Sequence, residues 1–352
     1  MSYNICGIQQ VGIGVSDVDE AWKWYRRTFG MDVPVFREAA EAPLMTRYTG
    51  GDVQSRDAVL ALNLQGGGGM EIWQFTSRTP EPPPFEIQLG DVGILAARIK
   101  TRDVQATFNQ FASGGVNLVS PVVRDPAGAP HFFVRSPDGL VYDIVQGMSW
   151  FGKGRHVTGG PSGCILGVSD IDYALRLYRD VLGYDRIEYD ETGSFNDLKS
   201  LPGGNRRFRR VLLTHSRDRV GPFARLLGRS RIELLQAMNA SPRRIYADRF
   251  WGDLGFIHLC FDVTGMDDLK SACMSAGFPF TIDSNNSFDM GEAAGRFAYI
   301  EDPDGTLIEF VETHKLPVLK RFGWYLDLRK RSATKPLPNL LIRAMGLGRV
   351  RD

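Results

Sequence analysis

The first thirty residues combine two hydrophobic periods. Residues 11–15 form a short run without polar side chains, as in a strand, and the apolar residues that follow recur at helical spacing. These helical positions are Val18, Ala21, Trp22, Tyr25 and Phe29. Asp17 precedes them, where an N-cap is preferred, and Gly30 follows them, where helices commonly end. The pattern predicts a strand, then a helix, then several further strands.

The same pattern returns later in the chain. Residues 11–32 can be laid on residues 164–185 with a shift of 153 positions. Ten residues are then identical, at 14, 15, 16, 17, 19, 21, 25, 26, 30 and 32 of the first copy. A second pair of matches joins 90–94 to 252–256 and 136–143 to 302–309. The sequence therefore predicts four similar modules, beginning near residues 8, 91, 161 and 253. The alternative, one α+β domain with accidental similarity, does not explain matches that keep register at separate places.

Proline- and glycine-rich connectors separate the modules. They span residues 76–89, 147–162 and 237–251. We therefore divide the chain into an N-terminal domain of two modules (1–150), a C-terminal domain of two modules (151–314) and a basic tail (315–352).

Composition restricts the class of protein. The 352 residues are 43% hydrophobic and 24% charged, with a net charge of +1, which is typical of a globular protein and argues against a nucleic-acid partner. No apolar stretch approaches the roughly 20 residues of a membrane span, so we expect no stable membrane insertion. The four cysteines form no C-x-x-C unit. Reduced thiols and a cytoplasmic location are expected.

An acidic residue interrupts the last apolar strand of every module. These residues are Glu71, Asp143, Glu233 and Glu309. Because side chains alternate along a strand, the carboxylate projects from the same face in each module. A solvated sheet face would explain one such residue, whereas buried carboxylates are normally paired or bind metal. The fourfold recurrence leaves both readings open.

The first strands differ more strongly from one another. His258 lies in the first strand of module 4, and the repeat offsets place Ala96, Gly163 and Gln10 at the matching positions. Only His258 among them is a strong ligand for a transition metal. A hydrogen-bonded core histidine is the alternative.

The chain resembles the vicinal oxygen chelate superfamily, which includes glyoxalase I, bleomycin-resistance proteins and extradiol dioxygenases. The resemblance lies in the V-S-D-x-D-x-A-x-x-x-Y-R-x-x-x-G blocks at 15–30 and 168–183 and in D-P-D-G-T-L-I-E at 302–309, and it covers residues 5–313. It implies an α+β fold in which four βαβββ modules pair into two cupped mixed β-sheet domains with flanking helices. Metal ligands would then come from the first and last strands of paired modules.

The resemblance also implies a site. Modules 3 and 4 would offer His258, Glu309 and Glu233 to one divalent metal, while Gly163 has no ligand atom. Fe, Mn, Ni and Zn all suit such a set. The corresponding residues of modules 1 and 2, which are Gln10, Glu71 and Asp143, would form a degenerate second site, because Ala96 replaces the histidine.

The expected function is that of a metal-dependent enzyme on a small, oxygen-chelating, anionic substrate, reacting by proton transfer as a lyase or isomerase. Glu309 and Glu233 are the candidate catalytic residues, with Glu309 as the fixed ligand and Glu233 as the mobile base. A dioxygenase is one alternative, although Gly163 stands where extradiol dioxygenases have a histidine. A ligand-binding protein of the bleomycin-resistance type is another.

Two basic segments bear on partners. Residues 206–231 hold nine arginines and one acidic residue, and we expect Arg206 and Arg210 to bind an anionic substrate, with a solvated basic face as the alternative. The tail from residue 315 holds ten basic residues and two acidic ones, among apolar side chains. It would pack on the protein itself, on a partner or on an anionic membrane surface. A homo-oligomer is left open.

Overall fold

The structure is a computed structural model that describes residues 3–285, 288–290, 293–319 and 324–351. Each module begins with a strand and a helix and continues with further strands. Module 1 contains β1 (Asn4–Gly14), α1 (Val18–Phe29), β2 (Val33–Glu41), β3 (Ser55–Leu62) and β4 (Gly69–Phe75). Module 2 contains β5 (Gly93–Thr101), α2 (Val104–Ser113), β6 (Asn117–Leu118), β7 (Val123–Arg124), β8 (Pro130–Arg135) and β9 (Val141–Gln146).

The second half repeats this order. Module 3 contains β10 (Thr158–Gly167), α3 (Ile171–Tyr178), β11 (Arg186–Gly193), β12 (Phe208–Thr214), α4 (Ala224–Leu227) and β13 (Arg231–Ala237). Module 4 contains β14 (Gly255–Thr264), α5 (Met266–Ala276), β15 (Ile282–Asp283), β16 (Phe288–Met290), β17 (Ala293–Glu301) and β18 (Leu307–Leu319). The predicted fold class, four such modules in two curled mixed sheets with flanking helices, is confirmed.

The predicted first helix is found with both of its caps. The Asp17 side chain accepts hydrogen bonds from the backbone N–H groups of Asp19 and Glu20, which satisfies donors that the helix leaves free. Gly30 ends the helix in the left-handed conformation, with φ of 65°. Asp170 caps α3 in the same way, by accepting from Tyr173 N. The repeated sequence motif thus encodes the strand-to-helix turn of each half.

The two sheets pair the modules differently from the arrangement that the resemblance implies. Modules 1 and 4 form one sheet, through antiparallel pairing of β1 with β14, and modules 2 and 3 form the other, through β5 and β10. In the first sheet β4 and β18 flank the central pair in parallel; in the second, β13 and β9 do. Each sheet therefore contains strands from both predicted domains, 1–150 and 151–314. Residues of modules 3 and 4 do not share a cup.

Two connectors account for this exchange. The chain changes sheet between β4 and β5 and again between β13 and β14, and these two connectors bind each other. Val92 N donates to Arg243 O over 2.9 Å, Ile245 N donates to Val92 O over 3.0 Å, and the Arg243 guanidinium pairs with Asp91 over 2.7 Å. The proline-rich segment after residue 76 and the segment after residue 237 thus cross side by side between the sheets.

The tail continues the first sheet and then packs against the body, where Leu337 and Ile342 join a cluster with Val33 and Leu62. β18 runs on to Leu319, and β19 (Trp324–Asp327) pairs with it. A short helix, α6 (Asn339–Ala344), follows. Lys320, Arg321, Phe322 and Asp352 of the predicted basic tail lie outside the described residues. Among the described helices, none is both long and apolar enough to span a bilayer.

Candidate metal centre

A histidine and two glutamates converge in the cup of the first sheet. His258 Nε2 lies 3.1 Å from Glu71 Oε2 and 3.2 Å from Glu309 Oε2, and one ligand atom of each residue lies within 4.8 Å of the others. His258 comes from β14, Glu71 from β4 and Glu309 from β18. The three side chains therefore come from three strands, of which two belong to module 4 and one to module 1.

Gln10 on β1 completes the group. Its Nε2 donates to Glu71 Oε2 over 3.0 Å and to Glu309 Oε2 over 3.3 Å. Its Oε1 is buried and has no hydrogen-bond partner among the described residues. Because β1 lies between β4 and β14, Gln10 reaches both carboxylates from the middle of the sheet.

Aromatic side chains surround the charged group. The hydroxyl of Tyr299 lies 3.3 Å from His258 Nδ1, and the two rings meet edge to face at 5.6 Å. Trp251 packs against Tyr299 at 6.3 Å and against Trp73 at 4.4 Å. His258 is 1% exposed, so the imidazole is shielded from bulk water. Low polarity around the group strengthens its electrostatic interactions.

The charges of the group shift one another. Burial alone would lower the pKa of His258, but the carboxylates of Glu309 and Glu71 outweigh it and raise that pKa. Burial, together with repulsion from Glu71, raises the pKa of Glu309. Burial opposes ionisation of Glu71 as well, yet contact with His258 lowers its pKa. Two buried carboxylates so close together favour a cation between them.

The donor set fits a divalent transition metal. His258 Nε2 makes no hydrogen bond of acceptable geometry among the described residues, despite two carboxylate oxygens near 3.2 Å, and Gln10 Oε1 is unpartnered beside it. One imidazole, two carboxylates and one amide oxygen suit Mn, Fe, Ni or Zn. The group is buried, its polar atoms are incompletely satisfied, and its donors point to one region.

The second cup holds a closed ion network instead. Arg98 donates from Nε to Asp143 Oδ2 over 3.0 Å and from Nη2 to Glu233 Oε2 over 2.5 Å. Arg210 donates from Nε to Glu233 Oε1 over 2.6 Å and from Nη1 to Asp197 Oδ2 over 2.7 Å. His131 closes the network.

The Nδ1 atom of His131 lies 2.8 Å from Asp143 Oδ1, and its Nε2 lies 3.4 Å from Asp197 Oδ2. Burial opposes protonation of His131, but attraction to Asp143 prevails and raises its pKa to about 9. At neutral pH three carboxylates thus face two guanidinium groups and one imidazolium. The network is balanced in charge without a metal ion.

Several predicted site residues lie elsewhere than expected. Glu233 belongs to this ion network and not to the group around His258, because module 3 pairs with module 2. Arg210 is 0% exposed and neutralised by Glu233 and Asp197, so it is not available to a substrate. Arg206 donates to Gln88 Oε1 and Leu89 O in the connector. Of the predicted site residues, Glu233 and Arg210 are thus engaged in the ion network, and Arg206 makes hydrogen bonds with the connector.

The predicted degenerate site is divided between the two cups. Gln10 and Glu71 join His258 and Glu309, whereas Asp143 joins the ion network. Ala96 and Gly163 offer no ligand in the second cup, as the sequence indicates. Arg98, two residues after Ala96 on β5, supplies a positive charge to the second cup. A cationic residue within an apolar strand is the sequence signal that could have indicated this network.

The chain belongs to the Glyoxalase/Bleomycin resistance protein/Dioxygenase superfamily. The family model matches residues 7–144 and again residues 156–310, so each half of the chain carries one copy. This match confirms the resemblance stated from the sequence. Comparison with curated proteins found no match.

Solved structures of the superfamily share the fold. Glyoxalase I from Zea mays is similar with a TM-score of 0.52 at 14% identity, over 88% of this chain and 92% of that one. A putative dioxygenase from Bacillus subtilis is similar with a TM-score of 0.55 at 14% identity, over 99% of this chain and 97% of that one. At this identity the similarity establishes the fold only. The reaction has to be inferred from the residues of the site.

Proposed function

We propose that the protein is a metal-dependent isomerase or lyase that transfers a proton on a small substrate with two neighbouring oxygen atoms. The observation that supports this is the convergence of Glu71, His258 and Glu309 beside the unpartnered Oε1 of Gln10. The donor set contains one imidazole and no second histidine, which favours proton transfer over oxygen activation by a 2-His-1-carboxylate site.

The four residues would hold one divalent ion. When bound, the ion supplies Lewis-acid polarisation of a substrate carbonyl. The protein contributes the fixed positions of the donors on four neighbouring strands and a cup that excludes most water. Tyr299 holds the imidazole of His258 from the Nδ1 side, which orients Nε2 towards the carboxylates.

Glu309 is the proposed base. It takes a proton from the carbon next to the substrate carbonyl, and the C–H electron pair forms a carbon–carbon double bond while the carbonyl oxygen takes the negative charge. Return of the same proton to the former carbonyl carbon, with transfer of the substrate's hydroxyl proton to the former carbonyl oxygen, isomerises an α-hydroxycarbonyl substrate without an oxidant. Burial favours this role because a desolvated carboxylate is more basic.

A cleft beside the cup would admit the substrate. It has a volume of about 360 Å³ and is lined by Trp251, Ile257 and Leu307, among others. Leu307 is the register partner of His258, so one wall of this cleft comes from the strand next to the one that carries the imidazole. The Trp251 Nε1 atom is buried and lacks a hydrogen-bond partner among the described residues, which suits a donor to a substrate oxygen.

Arg244 in the same cleft replaces Arg206 and Arg210 as the proposed contact for an anionic substrate group. Three acids, Asp248, Glu301 and Asp304, also line the cleft. Two of them already have partners, since Glu301 accepts from Tyr48 over 2.8 Å and Asp304 accepts from Ser169 N over 2.8 Å. No ion pair of Arg244 occurs among the described residues. A bidentate guanidinium contact would orient a carboxylate or phosphate group.

Metal analysis of protein purified without chelators tests the first step. We expect a stoichiometric divalent metal that is lost in His258→Ala and kept in His156→Ala, whose imidazole lies outside the cup. A metal-free wild-type protein that still binds ligands would contradict the proposal and favour a sequestering protein.

Proton exchange tests the chemistry. Hydroxyacetone in D2O, followed by NMR, should exchange its α-hydrogens faster with the metal-loaded protein, and Glu309→Gln should abolish the acceleration. Arg207→Gln, on an exposed side chain, serves as the control. Oxygen consumption with the Fe(II) protein and catechol, without proton exchange, would identify an oxygenase and overturn the isomerase proposal.

A further inference from the structure

The C-terminal segment has two apolar sides, of which only one is covered. Ile342 on α6 and Leu337 before it are 1% and 2% exposed, and they pack in a cluster with Leu226, Leu328 and Val33. Leu340 and Leu347 on the other side are 78% and 92% exposed. The segment is therefore anchored on the body by one side and presents leucines to solvent on the other.

Cationic side chains surround these leucines. An open cleft of about 1040 Å³ between α6 and the connector at 150–153 is lined by Leu340 and Leu347 and by four basic residues, Arg102, Lys153, Arg343 and Arg349. No carboxylate lines it. Arg349 is paired with Asp32 over 2.6 Å, whereas Lys153 and Arg343 have no ion pair among the described residues.

Aromatic rings form the opposite wall of the cleft. The Arg102 guanidinium stacks on Trp150 at 3.9 Å, and Arg343 lies 5.9 Å from the centre of the Phe151 ring. Trp150 and Phe151 are partly exposed. Tryptophan beside exposed leucines and cations is the combination found at the boundary between lipid headgroups and acyl chains.

We propose that this surface, formed by Leu340, Arg343, Leu347, Arg102 and Lys153 and here called the basic leucine face, docks on an anionic lipid bilayer. The leucines insert at the boundary between headgroups and acyl chains, and the guanidinium and ammonium groups contact lipid phosphates. The outward direction of both leucines favours a broad apolar surface over an enclosed small ligand. The excess of cations selects an anionic surface. This docking is peripheral and agrees with the lack of a spanning helix among the described ones.

Vesicle co-sedimentation of the full chain tests the proposal. We expect binding to vesicles that contain phosphatidylglycerol, no binding to vesicles of phosphatidylcholine alone, and weaker binding as salt concentration rises. Leu340→Ser and Leu347→Ser should each weaken binding roughly ten-fold. Lys153→Gln and Arg343→Gln should each weaken it about five-fold.

Met274→Ser is the matched control, because Met274 is 60% exposed on α5, outside the basic leucine face. It should leave vesicle binding unchanged. Thermal unfolding of each variant checks that the chain remains folded. We expect it to do so, because the substituted side chains are exposed.

Three outcomes would overturn the proposal. The first is equal sedimentation with both vesicle types. The second is loss of binding in the charge variants but not in the leucine variants, which would indicate a site for soluble anions only. The third is a change of oligomeric state in Leu347→Ser without any vesicle binding, which would make the face a contact between two copies of the chain.

Discussion

Gly12 lies directly against the imidazole of His258. The two residues are register partners on β1 and β14, and a Cβ atom placed on Gly12 would come within 2.4 Å of His258 Cε1 and 2.5 Å of Nε2. Because residue 12 has no side chain, the His258 ring can pack directly against the β1 backbone, with Nε2 near Glu71 and Glu309.

Gly12→Ala should therefore displace His258 and weaken metal binding by at least about ten-fold, because a ligand moved by a fraction of an ångström loses its coordination geometry. Metal titration followed by isothermal calorimetry measures the change. Gly193→Ala on β11 is the control, since a Cβ there meets no atom within 4 Å. Equal metal affinity in both variants would contradict the close contact between Gly12 and the His258 imidazole.

The second prediction concerns the glutamate beside His258, which is Glu71 in the structure and not Glu233 as the sequence predicts. Glu71→Gln should lower metal content strongly, because it removes one of the two carboxylates beside His258. Glu233→Gln should leave metal content unchanged and instead destabilise the chain, because Arg98 and Arg210 lose a shared partner. Metal analysis and urea unfolding of the two variants separate the effects. Loss of metal in Glu233→Gln but not in Glu71→Gln would contradict this assignment and would support a site shared by modules 3 and 4.

The local structure was readable from the sequence because the signals are local. Asp17 and Gly30 bound the first helix, and the structure places both as caps of α1. The fourfold repeat predicts the modules, since each repeat encodes one strand-to-helix unit.

The pairing of modules was not readable, because it depends on contacts far apart in sequence. β1, β5, β10 and β14 carry similar apolar patterns, so each offers a plausible partner for any other. The choice follows from the two connectors that bind each other through Arg243, Asp91 and Val92. The repeat pattern assigns Gln10 and Glu71 to a degenerate second site with Asp143, and only the sheet order brings them together with His258 and Glu309.

Adjacent arginines on β12 give a third prediction. Arg210 is fully buried between Glu233 and Asp197, whereas Arg209 pairs with Asp172 and Asp190 at the surface. Arg210→Met should cost about 3–5 kcal/mol in the free energy of unfolding, because it leaves buried carboxylates without a partner. Arg209→Met should cost no more than about 1 kcal/mol. Urea unfolding measures both, and a similar loss in the two variants would show that the network is not electrostatically coupled.

The pH dependence of stability provides the last prediction. The folded-state pKa of His131 is raised to about 9, against about 6.5 in an unfolded chain. Between these values the folded state binds more protons than the unfolded state, so the free energy of unfolding falls as pH rises. The stabilisation by protonated His131 is fully present below about pH 6.5 and is lost as pH passes through 9.

Lys100 and Asp262 also titrate in this range, since burial lowers the pKa of the first to about 7 and raises that of the second to about 8. Comparing the wild type with His131→Gln removes their contribution. We expect the variant to be less stable than the wild type near pH 6 by on the order of 2 kcal/mol, and the difference to shrink towards pH 9.5. A difference that stays constant over this range, in urea unfolding at successive pH values, would mean that His131 is neutral in the folded protein and that the second cup carries a net negative charge.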